Sequence, residues 1–262
     1  MKVRMSGFLA GAVWFGLATT VFGAADSVEN PSYHPKKTPS LTEPAVNTSE
    51  AAAQWDSISR SQPVLKCDLQ EVWEAAPGSK ITVTALKDKK VPVKASFDQV
   101  KVLLFLDKPS EAFAAGQGSV NLASYNSGVE ARDRRVQKYV FQVEQPGMGI
   151  SLFSLTFNPP VKIPKSGTTS GTAKVDIMLE GDHLKATMPI RVGLNPDSTV
   201  TLQTEKEAPL TFVTNSKSKL RVISMMKACN HHFIGKAVQV GVDLKLKNLC
   251  AAPASASPAP SK

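Results

Sequence analysis

The constraint that bears hardest on this chain is a two-residue alternation of apolar and polar side chains, repeated in short runs that turn residues interrupt. Ile81, Val83 and Ala85 alternate with threonines, and Val100, Val102 and Leu104 alternate with lysine and other residues. Leu69, Val72 and Trp73 begin the series, and further runs occupy 140–143, 150–157, 173–179, 184–192, 200–203, 210–213, 220–224 and 238–246. Pro77-Gly78, Lys108-Pro109, Pro146-Gly147, Asn158-Pro159-Pro160, Ser166-Gly167, Gly181-Asp182 and Asn195-Pro196-Asp197 separate nearly all of them. Side chains of a strand point alternately to its two faces, so short runs at this spacing build an antiparallel sandwich or barrel. Periodicity alone leaves both architectures open.

Residues 119–157, SVNLASYNSGVEARDRRVQKYVFQVEQPGMGISLFSLTF, read as strand, turn, short helix and strand. Val120, Leu122 and Tyr125 surround a small-residue turn, and Ser127 stands three residues before Glu130, the spacing of a capping box. A helix is therefore predicted near 129–138, with Val129, Val136 and Val140 along one stripe and Arg132, Arg134, Arg135 and Lys138 toward water. So narrow a stripe suits a lid or plug better than a core helix.

The ends read differently. Lys2 and Arg4 precede an uncharged run whose apolar part covers 8–22, and Val21 and Gly23 fit a small-residue cleavage site, so 1–23 is expected to be a signal peptide cut before Ala24. An uncleaved anchor is the competing reading, but the strongly apolar part is shorter than the roughly 20 residues of a spanning helix. Residues 24–59, with Pro31, Pro35, Pro39 and Pro44, are expected as a disordered Pro/Ser-rich spacer, and 251–262, a Pro/Ala/Ser tail, as disordered too. That leaves 60–250 to form one domain.

The formal charge is +9 and falls by two when Lys2 and Arg4 leave with the leader. The lysines are spread along the chain and no aromatics alternate with them to stack bases, which argues against nucleic acid. An attraction to an anionic membrane surface, as a transient contact, fits the excess. A homodimer is left open.

The segment 119–157 resembles the middle of the YceI-like family, periplasmic lipocalin-like proteins in which a strand leads through a small-residue turn into an Arg-Asp pair and a short helix; here the pair is Arg132-Asp133. The likeness extends to 171–192, GTAKVDIMLEGDHLKATMPIRV, similar to the family's hairpin around Glu180-Gly181-Asp182, and to 233–247, FIGKAVQVGVDLKLK, similar to its closing strand. Residues 93–107, VKASFDQVKVLLFLD, resemble its early hairpin, with Ala95 where a glycine is common. The resemblance implies an all-β fold, an antiparallel lipocalin-like barrel of about eight strands, located in the periplasm. It implies non-enzymatic binding of a long apolar lipid, a polyisoprenoid or isoprenoid quinone, in the barrel interior. No cofactor is implied beyond such a lipid. Trp73, Phe97, Phe105, Phe141, Phe153, Phe157, Met178, Met188, Phe212 and Met225 are then the candidates to line the tunnel. Each competes with the plainer role of filling a core.

Three cysteines remain after export, Cys67, Cys229 and Cys250. In a barrel whose first and last strands are antiparallel neighbours, Cys67 and Cys250 lie at adjacent ends and are the expected disulfide. A Cys229 to Cys250 bond is disfavoured by the strand that separates them.

The rival chemistry is Cys229-Asn230-His231-His232. A turn converging Cys229, His231 and His232 would make a metal site, and with it a metal-binding protein or metalloenzyme. The plainer reading is a polar loop, since no second Cys/His cluster supports it. Arg132-Asp133 reads as first-turn charge and local ion pairing rather than catalysis. Neither a G-x-S-x-G elbow, a Walker loop, a dinucleotide glycine fingerprint nor H-E-x-x-H is present. A third reading is a filled sandwich acting as a ligand-free envelope interaction module.

Overall fold

The computed structural model describes residues 27–35, 45–61, 65, 67–179 and 181–251. The elements in chain order are β1 (Ser27–Glu29), α1 (Ser49–Arg60), β2 (Gln70–Ala75), β3 (Lys80–Lys87), β4 (Val91–Phe97), β5 (Val100–Asp107), β6 (Ala112–Asn121) and β7 (Tyr125–Asn126). Then follow α2 (Glu130–Arg135) with a π-helical turn at Val136–Phe141, β8 (Ile150–Lys162), β9 (Thr168–Leu179) and β10 (Asp182–Leu194). β11 (Val200–Thr204), β12 (Ala208–Thr211), α3 (Ser216–Cys229) and β13 (Phe233–Asn248) complete them.

The alternation sets the faces. In β10, Leu184, Ala186, Met188, Ile190 and Val192 are buried while the residues between them are exposed. The same parity holds for Val102, Leu104 and Leu106 in β5. Such strands can bury one face only if the sheet closes on itself or meets another. Here it closes: β2, β5, β6, β8, β9, β10, β11 and β13 pair antiparallel in that order, and β13 returns to β2, an eight-stranded barrel.

The 16-residue β13 serves two tiers. Its end pairs with β2, Leu246 opposite Ala75, while its middle pairs with β3, Val242 opposite Ile81 and Val238 opposite Ala85. From β3 the upper wall continues through β4 to β7, Phe97 opposite Tyr125. On the other edge of β13, β12 lies above β11, Ala208 opposite Val240 and Val200 opposite Leu246. At the lower end Trp73, Leu106, Phe113 and Val161 fill the interior, with the Trp73 ring edge-on to Phe113 at 6.1 Å. There the chain is also stapled, by a disulfide between Cys67 and Cys250.

Three expectations about these elements are corrected. The stretch 24–59 was expected as a disordered spacer, yet it carries β1, which pairs with the start of β13 through a buried Val28, and the 12-residue α1. α1 seats Ala51 against the barrel, and Lys101 Nζ of β5 donates to the Ile58 and Ser61 carbonyls at 2.8 and 2.5 Å, a cation at the helix C-terminus where the dipole favours it. The run 220–224, expected as a strand, lies within α3, and 140–143 closes the π-helical turn. In α3 the buried Ser218, Arg221, Val222, Met225, Met226 and Cys229 recur at helical spacing, which a five-residue window reads as alternation. The signal peptide 1–23 and the tail beyond 251 fall outside the described residues.

Loss of the disulfide releases a loop of 183 residues in the unfolded chain. Cys67→Ser with Cys250→Ser is expected to lower the unfolding free energy by about 2–5 kcal/mol, read from urea midpoints with and without reductant. Equal midpoints would mean that the barrel's own pairing closes the lower end unaided.

A capped apolar cavity as the candidate site

Above the Trp73 and Phe113 layer the barrel is hollow. The cavity has a volume of about 370 Å³, inside the roughly 300–1,000 Å³ of small-molecule sites. Its wall is almost wholly apolar: Ile81 and Val83 from β3, Phe153 and Leu155 from β8, Ile177 from β9, Val240 from β13. Two glycines let these wall side chains seat closely. Gly116 and Gly118 of β6 point inward, and a Cβ on Gly118 would collide with the Phe153 ring and with the Lys101 carbonyl.

Helices roof the mouth. Val136, Val140 and Phe141 of the π-helical turn and Val222 and Met225 of α3 face the cavity from above. α3 is held by a capping box in which Asn215 accepts from the Ser218 amide at 2.9 Å and the Ser218 hydroxyl accepts from the Asn215 amide at 3.1 Å. It ends at Asn230, whose left-handed backbone turns the chain into β13. For α2 the expected Ser127 and Glu130 box is not what forms. Ser127 donates through its amide and hydroxyl to Asp133 Oδ1, at 2.9 and 2.5 Å, and Glu130 pairs with Arg134. One carboxylate thus ties the loop before the helix to its first turn.

Polar groups collect at this roofed end. Lys87, Arg132, Arg135, Cys229 and His231 all line the upper cavity, and Arg135, expected to face water, is buried. Its Nη1 donates to the Cys229 thiol at 3.8 Å. Burial first, then the positive Lys87, with Arg132 and Arg135 adding and Asp88 opposing, brings the His231 imidazole from the usual 6.5 down to about 4. Burial, reinforced by Asp133 and opposed by Arg132, pushes the Tyr125 phenol up to about 12, so it stays a hydrogen-bond donor. The arrangement offers a greasy interior with cations confined to one end.

Of the tunnel candidates, Phe97, Phe141, Phe153, Phe157, Met188, Phe212 and Met225 line the cavity. Three do not. Trp73 points inward but sits in the layer that plugs the closed end. Phe105 has the opposite parity to Val102, Leu104 and Leu106 and faces outward, half-buried. Met178 lies between inward Ile177 and Leu179 and is 45% exposed on the outer face. Sequence reasoning missed Lys87, Arg132, Arg135 and His231 as a group; they come from separate segments, and only the fold brings them to one rim.

The metal alternative divides at this rim. Cys229 and His231 border the cavity, whereas the His232 ring turns away and stacks on Tyr33 at 4.5 Å, with Nε2 3.4 Å from Glu29. Among the described residues no three His, Cys, Asp or Glu side chains are grouped to hold a metal ion.

No family model matches the sequence, and neither does any curated protein. Solved structures do. A polyisoprenoid-binding domain from Saccharophagus degradans, implicated in plant cell wall breakdown, aligns over 68% of this chain and 98% of its own at 15% identity, with a TM-score of 0.55. BcnA of Burkholderia cenocepacia, at 16% identity over 64% of this chain and 96% of its own, and a mutant CJ YceI protein holding a monobromobimane guest, at 15% over 60% and 84%, reach TM-scores of 0.45 and 0.39, too low to carry a shared fold. At 15% identity the first likeness is one of fold. What holds at that level is the antiparallel lipocalin-like barrel with its short helix.

Two measurements test the cap. Asp133→Ala removes the acceptor of two charge-assisted hydrogen bonds and is expected to lower stability by about 1–3 kcal/mol, read from urea denaturation; an unchanged midpoint would show that the loop needs no tie. For His231, the unfolded chain binds a proton below 6.5 and the folded chain only below about 4. Its contribution is full above 6.5 and is lost as pH falls from there toward 4. Thermal midpoints of His231→Asn at closely spaced pH should therefore fall less steeply over that window; parallel slopes would place the imidazole in water.

Proposed function

We propose that this protein binds a long apolar lipid, a polyisoprenoid or isoprenoid quinone, in the barrel and carries or sequesters it without catalysis. The observation that carries the reading is the cavity's polarity: apolar along its length, with Lys87, Arg132, Arg135 and His231 only at the roofed end. Each methylene taken out of water contributes about 0.8 kcal/mol, so a lined tube holds a chain tightly without specific polar contacts. The prenyl tail lies against Phe153, Ile177 and Val240, and the polar head sits under α2 and α3 among the cations. The Saccharophagus degradans domain, which shares the fold, is described as polyisoprenoid-binding, and that supports the ligand class. A hollow interior also favours this reading over a filled interaction module. In keeping with the leader read at 1–23, the carrier works in the periplasm.

Native mass spectrometry of untagged protein from its own periplasm, followed by solvent extraction, tests this. A prenyl lipid near one per chain is the expected adduct, and Ile177→Asp, which sets a charge against the wall, should lose it while circular dichroism stays that of a barrel. A bare polypeptide mass, even after incubation with polyprenols and quinones, overturns the proposal.

A further inference from the structure

The cap carries a second surface on its outside. α3 spans the mouth between two acidic anchors. At its N-terminal end Asp182 Oδ2 accepts from Thr214 Oγ1 at 2.9 Å and from Asn215 Nδ2 at 2.7 Å. Just past its C-terminal end Asp88 Oδ1, in the turn between β3 and β4, accepts from the His232 and Phe233 amides at 3.1 and 3.2 Å. The helix buries Val222, Met225 and Met226 toward the barrel, so its opposite face is turned to the outside. That face presents Lys217, Leu220, Ser224 and Lys227 at helical spacing, all exposed, with Leu220 63% exposed and Lys219 on its flank.

This face is not what stability of the helix asks for. α3 has no acidic residue, and Lys217 and Lys219 stand in its first turn, where the macrodipole disfavours cations. A leucine held in water between lysines adds nothing to the core. The same pairing recurs on a neighbouring element: the turn beside the C-terminal end of α3 exposes Lys89 and Lys90 and then Val91, which is 51% exposed. At the start of α2 a further apolar residue, Val129, is 45% exposed beside Glu130 and also lines the cavity, placing it at the opening. Apolar tips flanked by lysines around one mouth fit the boundary between headgroups and acyl chains of an anionic bilayer: the ammonium groups meet lipid phosphates while the apolar tips enter.

We propose that the cap face, built from α3, the turn between β3 and β4 and the start of α2, docks on an anionic bilayer with the cavity mouth toward the membrane. A prenyl chain then passes between bilayer and barrel without crossing bulk water. The transfer step rests on the lipid-binding reading above; the docking is read from the surface alone.

Flotation of the full protein with vesicles of phosphatidylcholine, alone or mixed with phosphatidylglycerol, measures the docking without any prenyl lipid present. Binding to the mixed vesicles, none to the neutral ones, and loss of binding as salt rises are expected. Lys217→Glu with Lys227→Glu, and separately Leu220→Asp, should weaken partitioning on the order of tenfold or more. Lys108→Glu with Lys165→Glu, the same change of charge on exposed lysines at the closed end, should change it little. Equal partitioning into both vesicle types overturns the proposal, and so does an equal loss from the two charge reversals, which would reduce the effect to net charge. Native mass spectrometry of the same variants separates the two readings: a lipid adduct retained without docking sinks only the docking.

Discussion

The whole barrel rests on β13. One strand hydrogen-bonds along its length to β2, β3, β11, β12 and β1, and among the described residues no other element joins so much of the wall. Its pairing with β2 and β11 makes the narrow lower ring; its pairing with β3 and β12 makes the wider upper wall. The handover from β2 to β3 is what lets one sheet be a filled core at one end and a hollow tube at the other. A barrel of eight strands leaves an interior only just wide enough for side chains, so a cavity of about 370 Å³ calls for that widening.

A hollow core forgoes packing contacts that a filled one would have, and the chain offsets that at its ends. Below, aromatic packing around Phe113 and the cross-link hold the ring. Above, α3 and the π-helical turn cover the opening with their own apolar cluster, Val222, Met226 and Ile234 among its members. The cluster is separate from the lower core, so the roof stands on its own contacts rather than on whatever fills the tube.

Much of the barrel was legible because its signal is local. Strands such as β10 alternate without a break, and the hairpin of β9 and β10 turns where Gly181-Asp182 predicts. The inward or outward sense of a residue follows wherever a strand is long enough to show parity; Phe105 and Met178 face outward despite their size because position in the strand, not apolar character, sets the face. α3 was lost for a related reason: its Asn215 cap and Asn230 stop are helix signals, but Leu220, Val222 and Ser224 imitate a strand over a short window. The polar rim could not have been read at all. Lys87, Arg132, Arg135 and His231 meet only through pairings between distant segments, and Arg135 in particular is buried against what its charge suggests. The ordered stretch at α1 was hidden by composition, since what fixes it is Ala51 against the wall and a lysine on β5.

The cross-link and the roof sit at opposite poles of the tube, and this imposes a gradient of motion. Local opening draws on the least restrained part of a structure. With Cys67 and Cys250 covalently joined at one pole, the strands cannot splay there. Any breathing must therefore grow toward the other pole, where β4 and β7 share only two residue pairs and the wall is completed by short elements. The molecule is a sleeve with a riveted base and a compliant rim, and it can widen to admit or release a guest without its base ever coming undone.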